Sequence, residues 1–331
     1  LEDRCGTASP AAVELGEIRE KIAWYDESHG VNLSMGVKQP AVRYALDGNR
    51  AHLEKLRHGL EALAATHGKA LGTFNADEHL AGDAPEQGVE LCAVVELMYS
   101  LEIVQRITGD DSFGDLLERV AYNALPAMFA GEYRMHQYFQ QTNQAACSLN
   151  NHRWYTPTKE GNIFGLSPHF GCCTANLHQG WPRFVLSLFA LEGDSLLIQA
   201  YAPADATCAV GGHDVRIALE TIYPFGERVR CFVRSSHPTL TVRLRIPRWA
   251  EGCTVEGVTT YRKLDAHVEI TGPFGEGVTA DICFHRTPRF VSRPAGRVSV
   301  EYPPLLFALP VDAVSRVHPS SAGEIPYTEY L

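Results

Sequence analysis

Three short stretches of this sequence combine residue types that can do chemistry. One is an acidic pair followed by a histidine, one is a glutamate and a cysteine separated by a single residue, and one is a pair of adjacent cysteines. In chain order they are Asp77-Glu78-His79, Glu90-x-Cys92 and Cys172-Cys173. Adjacent cysteines rarely bond each other, because the small ring strains the peptide between them. They are therefore packed apolar residues, metal ligands or a reactive thiolate.

The glutamate and the three cysteines together could form a zinc site. Thiolates from Cys92, Cys172 and Cys173 with one oxygen from Glu90 make a tetrahedral ligand set. Glu90 and Cys92 point to opposite faces of a regular helix, so they meet on one metal only from a loop or from the first turn of a helix. The chain has no C-x-x-C pair. Buried thiols and a solvated glutamate at a helix start therefore stay open as the alternative.

The same residues could support hydrolysis, which needs a nucleophile and a proton donor. A cysteine thiol bound to a metal or beside it loses its proton at neutral pH, so Cys172 could attack as a thiolate. Glu78 is a candidate general acid that would protonate a leaving oxygen and then activate water, and a surface carboxylate is its alternative. The chain contains no H-E-x-x-H, G-x-S-x-G, P-loop or G-x-G-x-x-G motif, which removes the commoner kinds of active site.

Two long non-helical stretches, residues 69–88 and 132–173, surround these residues and are rich in aromatic, His, Asn and Gln side chains. Loops of this length in a compact domain are usually functional or disordered, and this composition is unlike a disordered linker. It suits a polar ligand that can stack, such as a sugar. A helix cap, one face of a β-hairpin and a packed loop remain alternatives for the candidate substrate-binding residues, which are His29, His136, Tyr138 and His169.

The elements that must position these residues change character near residue 193. Helical spacing of apolar residues dominates before it, with a repeated pattern of helix, glycine-containing break and second helix. We expect these helices to end at Gly48, Gly68, Gly109 and Gly131. A third hairpin is expected near "TANLHQGWPRFVLSLFAL", with Thr174 or Asn176 as the cap. Repeated hairpins predict a toroid or a solenoid of helix pairs.

After Gly193 the chain reads as short, alternating, β-branched segments separated by turn residues. This pattern of short alternating segments is typical of an antiparallel β-sandwich. The sequence therefore predicts a fold that is mainly α plus β, with a helical catalytic domain over residues 1–193 and a β-sandwich domain over residues 194–331.

Composition limits the classes of partner. The 331 residues carry a net charge of −10 and no basic run, which argues against nucleic acid, and no apolar stretch is long enough for a bilayer. Nine scattered cysteines do not resemble a disulfide framework. Localisation stays open from the sequence, with the cytoplasm favoured over secretion despite a sequon at Asn32.

Several of these segments resemble glycoside hydrolase family 127 and its relatives, the β-L-arabinofuranosidase group. The resemblance covers most of residues 20–312 and is most specific in "FNADEHLAG", "GVELCAVVELMYSLEIVQRITGD" and "HFGCCTANLHQGWPRFV", with "LRIPRWAEG" and "VSVEYPPLLFALPV" further on. It implies a partial or complete (α/α)6 toroid followed by a β-sandwich. It also implies a retaining glycosidase that acts on β-L-arabinofuranoside-like sugars.

Carried over position by position, the resemblance assigns a zinc ion to Glu90, Cys92, Cys172 and Cys173. Cys172 matches the nucleophile, and Glu78 is most similar to the acid/base, although its spacing to Glu90 is shorter than in the best-known members. Retaining glycosidases usually use two carboxylates, and a thiolate would replace one of them here.

The chain begins at a point where the family is already well into its barrel. We therefore expect a fragment, a barrel completed by another chain or by a homo-oligomer, or a smaller toroid. The expected partner is an oligosaccharide or glycoside. The alternatives are an inactive carbohydrate-binding protein and a zinc-stabilised structural module of the same fold.

Overall fold

Helices of varied length are interspersed with short strands before residue 193, and longer strands follow. The structure is a computed structural model that describes residues 28–150, 159–166, 171–319 and 326–331. No helix within these ranges is both long and apolar enough to span a bilayer. The helices are α1 (Gly30–Gly36), α2 (Gln39–Asp47), α3 (Ala51–His67), α4 (Leu91–Thr108), α5 (Ser112–Arg119), α6 (Leu125–Ala127), α7 (Gly171–Leu177) and α8 (Gly180–Leu186), with a π-helical turn at Val120–Ala124 and a 3-10 turn at Pro294–Gly296.

The strands before residue 193 are short, and most of them have only two residues. They are β1 (Ala76–Asp77), β2 (His79–Leu80), β3 (Val89–Glu90), β4 (Phe129–Ala130), β5 (Met135–His136), β6 (Phe139–Gln140), β7 (Phe164–Gly165) and β8 (Phe189–Glu192). The later strands are β9 (Ser195–Ile198), β10 (Ala204–Val210), β11 (His213–Thr221), β12 (Arg228–Ser235), β13 (Thr241–Arg245), β14 (Gly252–Glu256), β15 (Arg262–Lys263), β16 (His267–Thr271), β17 (Gly275–His285), β18 (Arg289–Arg293), β19 (Arg297–Tyr302), β20 (Leu305–Leu306), β21 (Ser315–His318) and β22 (Tyr327–Tyr330).

Glycines end the helices largely as predicted. Gly48 follows α2 with φ 71°, and its N–H donates to the Tyr44 carbonyl at 2.8 Å. Gly109 follows α4 in the same left-handed conformation, and Gly68 follows α3 in an extended one. The prediction of a helix reaching Gly131 is wrong. That helix passes through the π-helical turn and ends at Ala127, because the next residues leave it to pair in β4.

The third predicted hairpin corresponds to α7 and α8, but its predicted cap is wrong. Helix α7 already begins at Gly171. Thr174 and Asn176 therefore lie inside the helix, together with the two adjacent cysteines. This start leaves the Thr174 hydroxyl available for a contact described below.

Two small sheets accompany the helices, so the described part of residues 28–193 is not purely helical. One sheet has the strand order β2-β1-β3-β6 and carries the candidate carboxylates. The other has the order β21-β22-β7-β5-β4, in which β22 near the end of the chain pairs with Phe164–Gly165. The toroid and the domain boundary near residue 193 stay predictions.

Residues 189–285 form two five-stranded sheets with the orders β10-β11-β12-β17-β14 and β15-β16-β13-β9-β8. Neighbouring strands are antiparallel except that β9 runs parallel to β13. Alternate residues of β11 point inward, as Val215, Ile217 and Leu219 do, and residues of both sheets belong to one hydrophobic core. A three-stranded sheet, β18-β19-β20, follows.

A buried ion-pair network joins the helical part to these sheets. Arg245 of β13 and Glu118 of α5 are both fully buried, with 2.6 Å between Nη2 and Oε1. Glu118 also accepts hydrogen bonds from the Tyr201 N–H at 2.8 Å and the Tyr223 hydroxyl at 2.6 Å, and Arg245 contacts Asp115. Buried charges of this kind persist only when they are paired and hydrogen-bonded, so this junction is fixed in one arrangement.

Candidate active site

Glu78 occupies a one-residue turn between β1 and β2. Asp77 pairs with His79 across this turn, so Glu78 alone reverses the chain and takes a φ of 76°. A non-glycine residue in this region is strained by about 1–3 kcal/mol, and such strain is concentrated at functional sites. The turn directs the Glu78 side chain away from the strand pair, where it is 26% exposed.

Glu90 reaches the same place from the neighbouring strand. Strands β1 and β3 are parallel, with Ala76 opposite Val89, so Glu78 and Glu90 lie at the same ends of adjacent strands. Glu90 has extended φ and ψ, and α4 begins at the next residue. Cys92 therefore lies in the first turn of α4. This helix start is one of the two arrangements, a loop or a first helical turn, from which Glu90 and Cys92 were expected to meet.

The adjacent cysteines approach from α7. The Sγ atoms of Cys92 and Cys173 are 3.5 Å apart, and Glu90 Oε1 lies 4.0 Å from the sulfur of Cys172 and 3.9 Å from that of Cys173. One ligand atom from each of the four residues lies within 4.8 Å of all the others. Glu90, Cys92 and Cys173 are buried, whereas Cys172 is exposed. The structure therefore brings the four predicted metal ligands together and leaves one sulfur accessible.

The surroundings shift the pKa values of these four groups in different directions. Burial, together with the charges of Glu78 and Cys172, raises the pKa of Glu90 to about 8. Hydrogen bonds from the Cys173 and Cys92 thiols hold the pKa of Cys172 far below its usual range. The pKa of Cys92 is raised chiefly by its contact with Cys172, and that of Cys173 chiefly by burial. The exposed sulfur is thus the one that holds a negative charge most easily.

The four residues fit a divalent metal ion. Zinc bonded to sulfur at about 2.3 Å and to oxygen at about 2.0–2.2 Å gives tetrahedral edges of about 3.8 Å between sulfurs and about 3.6 Å between sulfur and oxygen, close to the distances found here. Glu90 Oε2 is buried and has no hydrogen-bond partner within the described ranges. A buried carboxylate oxygen without a donor is costly unless a proton, as the raised pKa of Glu90 allows, or a cation neutralises it. The cluster could therefore hold a metal ion.

His29 lies on the other side of the two glutamates. Its Nε2 is 2.9 Å from Glu78 Oε2, and one ligand atom from each of His29, Glu78 and Glu90 lies within 4.8 Å of the other two. Glu90 is common to this group and to the cysteine cluster. The two groups therefore form one continuous site, with Glu90 between Glu78 and the sulfurs.

The remaining predicted substrate-binding residues differ in position. His136 is buried, and its Nε2 lies 3.0 Å from the Thr174 hydroxyl on α7, so it braces the helix that carries the two cysteines. Tyr138 belongs to the hydrophobic core and lies against Phe139. His169 lies outside the described residues. Sugar binding by His29, His136, Tyr138 and His169 stays a prediction.

Sequence reasoning missed the residues that fix the loop between the two glutamates. Asn75 Nδ2 and Lys69 Nζ both donate to the Ala84 carbonyl, and the Gly82 N–H donates to His67 Nδ1 at 2.8 Å. Burial lowers the pKa of Lys69 to about 7. Only the unusual density of polar residues in this stretch could have pointed to these contacts.

Comparison with known proteins assigns the family. Residues 36–185 match the model of the GH127 β-L-arabinofuranosidase catalytic domain, and residues 195–281 match the GH127 middle domain. The chain therefore belongs to glycoside hydrolase family 127. No curated protein matches this chain significantly.

Solved structures show the same fold. One is described as a glycoside hydrolase, with a TM-score of 0.70 and 17% identity, over 84% of this chain and 51% of that one. A GH127 β-L-arabinofuranosidase from Geobacillus stearothermophilus T6 has a TM-score of 0.69 and 17% identity, over 91% of this chain and 57% of that one. A GH127 β-arabinofuranosidase has a TM-score of 0.67 at the same identity and coverage. The chain thus spans little more than half the length of these proteins.

Proposed function

We propose that this chain carries the catalytic centre of a retaining glycoside hydrolase in which Cys172 is the nucleophile and Glu78 the acid/base. The observation that carries the proposal is the accessibility of one sulfur in an otherwise buried cluster. Cys172 is exposed, whereas Glu90, Cys92 and Cys173 are buried, and Glu90 adjoins Glu78. Structural metal sites are closed, whereas this cluster leaves one thiol accessible beside a second carboxylate.

The metal in this proposal is zinc, held by Glu90, Cys92, Cys172 and Cys173. Three sulfurs and one oxygen suit zinc better than calcium or magnesium, which prefer all-oxygen sites. When bound, the ion favours the thiolate form of its cysteine ligands at neutral pH. The orphaned Oε2 of Glu90 supports a cation at this position.

The chain's own residues supply the two steps of the reaction. Cys172 Sγ attacks the anomeric carbon while Glu78 gives its proton to the glycosidic oxygen, so a C–S bond forms, the C–O bond breaks and the aglycone leaves as an alcohol. Glu78 then takes a proton from water, whose oxygen attacks the same carbon and releases the Cys172 thiolate. Two inversions retain the anomeric configuration.

The proposed substrate is a β-L-arabinofuranoside or a related glycoside, on the strength of the matched catalytic domain and of the similar protein from Geobacillus stearothermophilus T6. The architecture proposed with it is a partial or complete (α/α)6 toroid up to residue 193, followed by a β-sandwich. The break between the two family matches, at residues 185 and 195, supports the boundary. The shared core of the two five-stranded sheets supports the sandwich.

Two single substitutions of neighbouring cysteines test the proposal. We expect one zinc ion per chain in the freshly purified protein and hydrolysis of an aryl β-L-arabinofuranoside. Cys172→Ser should abolish hydrolysis and keep the fold, because this side chain is exposed. Cys173→Ser, which replaces a buried sulfur, should lose the metal as well. Stoichiometric zinc without turnover of any furanoside would favour a carbohydrate-binding protein or a zinc-stabilised structural module.

A further inference from the structure

The ring of His29 has a defined orientation and a defined proton position. His29 is the N-cap of α1, and its Nδ1 accepts a hydrogen bond from the Asn32 N–H at 3.4 Å. A ring nitrogen that accepts carries no proton, so the neutral ring holds its proton on Nε2. Nε2 lies 2.9 Å from Glu78 Oε2. The helix cap therefore fixes the tautomer in which His29 donates to Glu78.

The backbone holds the same two segments together. The Gly30 N–H donates to the Glu78 carbonyl at 2.8 Å, and His29 forms a β-bridge with His79. Gly30 lies so close to Ala76 that a Cβ at residue 30 would overlap the Ala76 Cβ. The start of α1 is thus packed against the turn that carries Glu78, and the strained backbone of that turn is held from outside its own hairpin.

We propose that His29 is a positioning residue for the acid/base. Its Nε2–H holds Glu78 Oε2 and leaves Oε1 to meet the glycosidic oxygen. The inference rests on the proposed function, because it assigns to His29 the orientation of a carboxylate that transfers protons. A general acid contributes only when its oxygen lies within hydrogen-bond reach of the leaving oxygen. Losing the orienting donor should therefore reduce proton transfer without emptying the site.

Two substitutions separate the cap from the contact with the carboxylate. In His29→Asn the side-chain oxygen can replace Nδ1 as the cap, but the side chain is too short to reach Glu78. In His29→Gln the amide nitrogen can replace Nε2 as the donor, whereas the capping contact is lost. A role in orientation predicts that Gln keeps activity and loses some stability, and that Asn does the reverse.

The readout is the dependence of kcat/KM on the leaving group, because this ratio reports the step in which the C–O bond breaks. Hydrolysis of an alkyl β-L-arabinofuranoside needs a proton from the enzyme, whereas a nitrophenyl glycoside has a good leaving group and needs little help. We expect His29→Asn to lose about 10- to 100-fold in kcat/KM on the alkyl glycoside and much less on the nitrophenyl glycoside. KM and zinc content should stay near the wild-type values. His29→Gln should recover most of the alkyl activity.

Other results would overturn the inference. An equal loss on both glycosides through KM would make His29 a sugar-binding residue. Loss of zinc would make it a metal ligand. Unfolding of both variants would make its role structural. A Glu78→Gln variant shows whether the positioning role or the proposed function is wrong. If Glu78→Gln keeps full activity on the alkyl glycoside, Glu78 is not the acid/base at all. If Glu78→Gln is leaving-group dependent and His29→Asn is not, only the positioning role is wrong.

Discussion

Replacing Glu78 by glycine or by alanine should separate stability from function. Glu78 holds a φ of 76°, in the region that side chains with a Cβ disfavour. Both variants lose the carboxylate and its contact with His29, so that loss cancels in the comparison between them. The remaining difference in the free energy of unfolding comes from the backbone, and only the alanine variant keeps the backbone strain.

Two free-energy terms set the difference in stability between the glycine and alanine variants: backbone strain and conformational entropy. The left-handed conformation costs a residue with a Cβ about 1–2 kcal/mol, and glycine avoids it. Glycine loses about 0.5–1 kcal/mol more conformational entropy on folding than alanine does. Glu78→Gly should therefore be more stable than Glu78→Ala by about 0.5–1 kcal/mol, measured by urea unfolding at equilibrium. Neither variant should hydrolyse an alkyl glycoside.

A matched pair in a regular helix provides the control. Glu61 is exposed in the middle of α3. There the order should reverse, with Glu61→Gly less stable than Glu61→Ala by about 1 kcal/mol. If alanine is also the more stable replacement at residue 78, the Glu78 turn is not strained, and the argument that strain marks this residue as functional is refuted.

Two further predictions concern buried ionisable residues outside the site. Burial raises the pKa of Glu102 to about 7, so between pH 4.5 and 7 the folded chain keeps a proton that the unfolded chain has released, and stability falls as pH rises. Glu102→Gln should therefore gain about 3 kcal/mol over the wild type between pH 4 and pH 8 in urea unfolding; a gain that does not change with pH would contradict this. Arg245→Met removes the cation from Glu118 and Asp115 and should cost about 3–5 kcal/mol of unfolding free energy, with the double variant Arg245→Met/Glu118→Gln losing less than the two single losses combined.

Local signals in the sequence predicted much of the helical part and of the cluster of Glu90 with the three cysteines. The glycine after α2 and the glycine after α4 end their helices because each takes a left-handed conformation that favours glycine. The spacing of Glu90 and Cys92 allowed them to meet only from a loop or from the first turn of a helix, and α4 begins at Leu91. These features depend on a few neighbouring residues, so the sequence alone could give them.

Contacts between distant segments could not be predicted in this way. His29 meets Glu78 only because α1 packs on the hairpin of β1 and β2, and no pattern near either residue shows this pairing. The same is true of β22, which pairs with Phe164–Gly165 far earlier in the chain. The early end of the helix at Ala127 follows from strand pairing as well. Tertiary contacts override local propensity at each of these places.

The most direct test of the account is to find where the sugar becomes attached during turnover. The chain would be mixed with an activated aryl β-L-arabinofuranoside, quenched in acid and digested, and its peptides would be analysed by mass spectrometry. We expect one anhydropentose bound to Cys172, and none in Cys172→Ser. A sugar attached to Glu78 or Glu90, or steady hydrolysis by Cys172→Ser, would contradict it.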